Sequence, residues 1–362
     1  MSSTRWLPRW GVFAAAAFIA GTLVACKVPV FRYALERWSV DHYRMVVLLP
    51  KQSVESATSL VDELKREATT GNVDVEVIDL STLSEADLWQ LEEVDLEAST
   101  PQLQVFYPLR QRQQKRCWQG DLTSDAIHGW FQSPLRAAIS EDIVGGVSAV
   151  WLLVEGDDPE QNDRLANLVS RTLTEVQAEI AIPEGVISRK AADSHFKDNP
   201  EASMDDVLRS DIPLKIEFRL RRLETNDRTE SALRTMIAGF GGEDLSPPLL
   251  VPVFGRGRML DALDANSITP DTIGNVCNYI VGECSCTVKA LNPGVDMILQ
   301  VDWQEKLGNE IAIVGGETNL VPELIEIPGR QEPRVASNSI RWIGALTFAL
   351  LLGLTFRYLI RK

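Results

Sequence analysis

Short apolar runs alternate with longer amphipathic segments from Met45 to Gly282. Residues 45–49 are uninterrupted Met-Val-Val-Leu-Leu, the pattern of a buried strand. Ser53 can cap a following helix in which Ala57, Leu60, Val61, Leu64 and Ala68 recur at helical spacing. Residues 73–80 alternate apolar and acidic positions and predict a half-buried strand. Ser84 with Asp87 makes a capping-box-like start, and Leu83 can staple to Leu88 across it. Pro101 then leads a strand at 102–106. A run of Arg and Gln follows, then a second strand at 117–122 and a helix from Ser124.

A second pass begins at Val147. Residues 147–154 predict a strand, and Asp158-Pro159 supplies a cap and a first-turn proline for a helix burying Leu165, Leu168, Val169, Leu173, Val176 and Ile180. A polar insertion at 183–212, of the kind that sits in a surface loop, precedes a strand at 214–220. Asp227 and Glu230 start another helix that ends in the glycines at 239–242. Pro248 leads a strand at 249–254, Gly255-Arg256-Gly257 makes a turn into residues 259–263, and Thr269-Pro270 opens a last helix stopped by Gly282.

Both passes read strand, helix, strand, helix, proline-led strand, second strand, helix. That order resembles the thioredoxin fold, with Pro101 before 102–106 and Pro248 before 249–254 matching its proline-led strand. The resemblance implies an α/β chain of two tandem thioredoxin-like (β-α-β-α-β-β-α) domains. Pro252 runs against it, because the strand is internal in that family and proline removes a ladder donor. Redox members of the family carry a Cys-x-x-Cys pair where the first helix starts. Residues 51–56 and 155–160 occupy that place here and contain no cysteine. Serine or carboxylate there cannot attack a disulfide as a thiolate does, so thioredoxin-type redox catalysis is disfavoured.

The two ends change the picture. Arg5 and Arg9 precede an uncharged run from Trp10 to Cys26, a basic then apolar order of signal-peptide form. It ends Leu23-Val24-Ala25-Cys26, which resembles the lipobox of bacterial lipoproteins and makes Cys26 a lipidation candidate; an uncleaved signal anchor is the alternative. At the other end, residues 342–356 carry no charge, and 340–360 predict a transmembrane helix if Arg341 and Arg357 snorkel. The expected organisation is a signal peptide or hydrophobic segment at 1–26, domain 1 at 44–140 and domain 2 at 146–302 with its insertion at 183–212. A juxtamembrane linker at 303–339 and the spanning helix at 340–360 follow. Basic residues flank that span on both sides, so the signal-like N-terminus decides for an extracytoplasmic body at the bacterial cell membrane.

A net charge of -15 opposes binding to a phosphate backbone and excludes nucleic acid as the expected partner. Five cysteines are too few for a disulfide scaffold. His42, His128 and His195 lie far apart, so no metal site and no cofactor is expected. Cys277, Cys284 and Cys286 cluster, and the expected role is a structural disulfide from Cys277 to one of the other two. A redox or metal pair at Cys284 and Cys286 is the alternative, although zinc would lack a fourth ligand. Arg256 and Arg258 bracket Gly257 and could form an anion or partner contact, but a hairpin turn needs glycine there in any case. Arg110, Arg112, Lys115 and Arg116 form a basic run facing lipid head groups, an acidic partner or simply solvent. Trp118, Trp130 and Phe131 read as core. The function expected from this set is a non-catalytic, membrane-anchored binding or assembly module of the cell envelope, its partners membrane lipid and an envelope protein. The alternatives are an envelope thiol oxidoreductase using Cys284 and Cys286, and an accessory subunit of a membrane transporter.

Overall fold

The apolar run at 45–49 forms most of a strand at the centre of the first sheet. The structure, a computed structural model, describes residues 26–50, 54–83, 99–109, 115–241, 245–284, 289 and 292–308. Strand β1 (Cys26–Pro29) and helix α1 (Val30–Arg37) come first and were not anticipated. Then β2 (Tyr43–Leu49), helix α2 (Val54–Ala68) and β3 (Val73–Asp79) make a parallel unit, with Met45 opposite Val75. Strand β4 (Gln102–Phe106) runs antiparallel to β2, and β5 (Arg116–Asp121) antiparallel to β4. The order across the sheet is β3-β2-β4-β5. Helices α3 (Ser124–Phe131) and α4 (Pro134–Val144) follow. Thr123 caps the first and Ser133 the second, each side chain accepting a backbone N–H of its first turn.

The second sheet repeats this order. Strand β6 (Ala149–Val154) leads through α5 (Pro159–Glu179) to the parallel strand β7 (Phe218–Leu223), with α6 (Ala192–Asp198) inside the insertion between them. Helix α7 (Ser231–Gly241) precedes β8 (Leu249–Phe254), which is antiparallel to β6 and to β9 (Arg258–Met259) and β10 (Leu263–Asp264). After α8 (Pro270–Val281) come β11 (Glu283–Cys284), β12 (Val295–Asp296) and α9 (Trp303–Leu307). The order is β12-β9-β8-β6-β7, with β10 on the flank of β8. β11 instead pairs antiparallel with β1, apart from both larger sheets.

Pro252 sits in the middle of β8 opposite Trp151, and the ladder accommodates it. β9 pairs only with residues 253 and 254, and β10 only with 249 and 250. The Leu260 N–H donates to the Pro252 carbonyl at 2.9 Å, so the missing Pro252 N–H faces the break between those two short partners. N–H and C=O of one strand residue point the same way, and no bond to β6 is lost.

Strand alternation divides the core. Val150, Leu152 and Val154 of β6 share one apolar cluster with Met45, Val47, Leu103 and Val105 of the first sheet, while Ala149, Trp151 and Leu153 face α1, α5 and α8 in another. The first sheet and one face of the second thus bury a common core. Glu230 reinforces the junction, its carboxylate accepting from the Leu135 N–H at 2.7 Å at the start of α4, where a negative charge suits the helix dipole.

Four expectations need correction. The strand expected at 214–220 runs Phe218–Leu223, set by its register with β6. The insertion is not simply a surface loop, because Ile187, Val207, Leu208 and Ser210 are buried. Residues 303–307, assigned to a linker, form α9, and Trp303 and Leu307 lie in the core. Finally, the described fold is mixed α/β, and it corrects the expected fold with a spanning helix only so far: among the described residues no helix is long and apolar enough to cross a membrane. The longest, α5, carries Glu160, Asp163, Arg164, Arg171 and Glu175 along its length. Residues 340–360 lie outside the described residues, as do 1–25 and the capping box expected at Ser84 and Asp87.

Candidate functional site

The loop joining β6 to α5 stands where the family resemblance implies chemistry. Its residues are Glu155-Gly156-Asp157-Asp158-Pro159-Glu160. Asp158 caps the helix, accepting from the Glu160 N–H at 3.0 Å and the Gln161 N–H at 3.3 Å. Asn162 reaches back from the first turn and bonds Gly156 twice, its amide donating to the carbonyl and its Oδ1 accepting from the N–H, each at 3.0 Å. Thr225 Oγ1 donates to the Gly156 carbonyl at 2.8 Å, and the Asp157 N–H donates to the Ser246 carbonyl at 2.9 Å. Gly156 is required by contact: a Cβ there would stand 2.3 Å from the Ser246 oxygen and 2.7 Å from the Pro248 nitrogen. The proline-led start of β8 therefore presses directly on this loop. In the first half, the corresponding residues 51–53 lie outside the described residues.

The turn at Gly255-Arg256-Gly257 joins β8 to β9, with φ of 61° at Gly255 and 91° at Gly257. Both arginines are engaged inside the protein. Arg256 Nε donates to the Leu35 carbonyl at 2.8 Å, and burial pushes its pKa down to about 10. Arg258 is buried, donating to the carbonyls of Pro293 at 2.9 Å and Asn292 at 2.8 Å, and pairs with Asp41 at 3.2 Å and Asp296 at 3.3 Å. Lys289 completes the cluster, 2.8 Å from Asp41 and 2.5 Å from Asp296. Burial raises the Asp296 pKa, and the Lys289 ammonium opposes that shift. Two carboxylates and two cations satisfy one another here, tying the approach to β2 to β9 and β12. Sequence reading missed Asp41, Lys289 and Asp296 because more than 250 positions separate the first from the last.

A groove of about 540 Å³ runs along β7 at the edge of the second sheet, lined by Ser170, Leu173, Thr174, Gln177, Phe218 and Leu220. Arg219 and Arg221 lie along it, yet both pair with Asp142, at 2.5 and 2.9 Å, and Arg222 pairs with Glu155 and Asp163. These charges are internally balanced and serve to discourage further strand pairing at the sheet edge. Lys115 of the expected basic run donates to the Gly239 carbonyl at 2.9 Å, and residues 110–114 of that run lie outside the described residues.

Four cysteines lie among the described residues, Cys117 packed against one apolar cluster and Cys26, Cys277 and Cys284 inside the other. Cys117 in β5 is held at about 11 by burial, and Cys277 in α8 at about 12 for the same reason. Cys26 opens β1, is buried, and donates to the Asp205 carbonyl at 2.9 Å; burial raises its pKa. Cys284 is buried in β11. No disulfide joins Cys277 to Cys284, and Cys286 lies outside the described residues. The histidines stay apart, His42 bonding Asp74 at 2.9 Å and His128 standing 3.1 Å from Glu63. Among the described residues no group of three or more His, Cys, Asp and Glu could hold a metal ion. Trp130 and Phe131 are buried, with the Trp118 ring 6.0 Å from that of Trp130.

No protein-family model matches the chain, and no curated protein does. Among solved structures, the chain is similar to the first two thioredoxin domains of Saccharomyces cerevisiae Eps1p, at 10% identity. That match covers 68% of this chain and 94% of the other, with a TM-score of 0.20.

Proposed function

We propose that this chain is a non-catalytic binding or assembly module of the bacterial cell envelope, with an extracytoplasmic body built from two thioredoxin-like halves that lack the thiol pair. The observation that carries this reading is the 155–160 loop. A redox enzyme would present an accessible thiolate there. This chain presents carboxylates and a proline, and Asn162, Thr225 and Ser246 bond the loop's own backbone. The described thiols at Cys117 and Cys277 add support, since values of about 11 and about 12 leave neither ionised at neutral pH. The extracytoplasmic placement rests on the basic then apolar order of residues 1–26. The partner of such a module is another envelope protein.

Insulin reduction by the full chain in the presence of dithiothreitol tests the reading. The expected result is precipitation no faster than with dithiothreitol alone. Acceleration that disappears in Cys284→Ser or Cys286→Ser would overturn it in favour of a thiol oxidoreductase.

A further inference from the structure

We propose that Cys26 and Cys284 form a disulfide across the β1–β11 ladder, fastening the first strand of the folded body to the strand that follows α8. The two residues are direct Cα partners in an antiparallel pair. Residues directly opposite in such a ladder have Cα atoms about 4.5 Å apart in a non-hydrogen-bonded pair and about 5.5 Å in a hydrogen-bonded one. Either spacing falls within the roughly 4.4–6.8 Å that a disulfide spans. Direct partners also project their side chains to the same face of the ladder. Both side chains are buried, at 5% and 1% exposure, in one apolar cluster that also holds Tyr33. Burial is the main cause of the raised Tyr33 hydroxyl pKa, and the Cys284 and Cys26 thiolates each add to it, so both sulfurs lie within electrostatic reach of one phenol. The register shifts between Cys26 and Pro29, beyond the Cys26–Cys284 pair itself.

The surroundings already bring these strands together. The Val30 N–H donates to the Gly282 carbonyl at 3.0 Å, and Lys27 pairs with Glu283 at 2.9 Å. The bond closes most of the folded body into one loop, where a cross-link removes the most freedom from the unfolded chain. It forms by thiol–disulfide exchange with a disulfide-bearing oxidant. One cysteine thiolate attacks the oxidant, displaces one thiol and leaves a mixed disulfide. The second thiolate attacks that mixed disulfide at the protein sulfur and displaces the second thiol. Two protein thiols lose two protons and two electrons, and the oxidant's disulfide becomes two thiols. Because both sulfurs are buried, exchange belongs to folding or to fraying of β1. A disulfide at Cys26 excludes a lipid thioether on the same sulfur.

The test refolds full-length protein from denaturant in a mixture of reduced and oxidised glutathione, blocks remaining thiols with N-ethylmaleimide under denaturing conditions, and maps the digest by mass spectrometry. The expected result is the Cys26 peptide joined to Cys284, lighter by two hydrogens, with fragmentation between residues 284 and 286 placing the link on Cys284. The link persists in Cys286→Ser and disappears in Cys284→Ser. Any of four results overturns the proposal: Cys26 fully alkylated after oxidation, Cys26 linked to Cys277 or Cys286, Cys284 linked to Cys277, or Cys26 carrying lipid. Mapping of the unsubstituted protein decides the matter even if a variant fails to fold.

Discussion

Arg32 and Glu36 lie one helical turn apart on α1 and form an ion pair at 2.8 Å, with side chains 1% and 0% exposed. Each also binds the end of the insertion. Arg32 donates to Ser210 Oγ at 2.9 Å and the Ile212 carbonyl at 2.6 Å, and Glu36 accepts from the backbone N–H groups of Arg209 at 2.8 Å and Ser210 at 3.0 Å. Burial lowers the Arg32 pKa, and the Glu36 carboxylate pulls it back up.

Removing one partner of this pair leaves a buried charge uncompensated. Glu36→Ala is expected to destabilise the protein by about 3–5 kcal/mol in urea unfolding. The double change Arg32→Met with Glu36→Leu costs less than Glu36→Ala alone, because the orphaned cation is gone. A double variant as unstable as the single one, or less stable, would show that the pair does not act as a unit.

Gly156→Ala probes the tightly packed loop between β6 and α5. The added methyl meets backbone, the Ser246 oxygen at 2.3 Å and the Pro248 nitrogen at 2.7 Å, rather than a flexible side chain. The expected cost is about 2 kcal/mol or more, read as a lowered unfolding midpoint. Gly129→Ala serves as the control, since nothing lies within 4 Å of its added Cβ. Equal midpoints for the two variants would mean that the loop has room to spare.

Cys277 gives the protein an alkaline dependence of defined sign. Its folded-state value of about 12 stands above the ordinary 9.0 because burial disfavours the thiolate. The stability from keeping this thiol neutral is fully present below pH 9 and is lost as pH rises from there toward 12. At pH 10 the loss is about 1.4 kcal/mol. Urea unfolding at pH 8 and pH 10 is therefore expected to show the difference between the unsubstituted protein and Cys277→Ala shrinking by about that amount. An unchanged difference would place the thiol in contact with solvent or in a disulfide.

Local signals read well wherever the physics is local. Asp158-Pro159 and Thr269-Pro270 marked helix starts that the structure shows, because a capping side chain and a first-turn proline act within one turn. The turn at Gly255-Arg256-Gly257 was legible because positive φ favours glycine. The alternation of β6 was hidden inside a wholly apolar run. Only the structure shows Trp151 facing one cluster and Leu152 the other, since a strand buried on both faces carries no polar mark.

By itself, then, the sequence determined the order β2-α2-β3 and β6-α5-β7, the helix starts at Asp158-Pro159 and Thr269-Pro270, and the absence of cysteine from 155–160, because capping, turn chemistry and residue identity need no distant partner. Tertiary structure decided that Arg256 and Arg258 turn inward, that Asp41 and Asp296 share two cations, that the insertion locks onto α1, and that Cys26 lies opposite Cys284. Each of these is a meeting of residues far apart in the chain, brought about by burial of the shared core, and no local pattern records it.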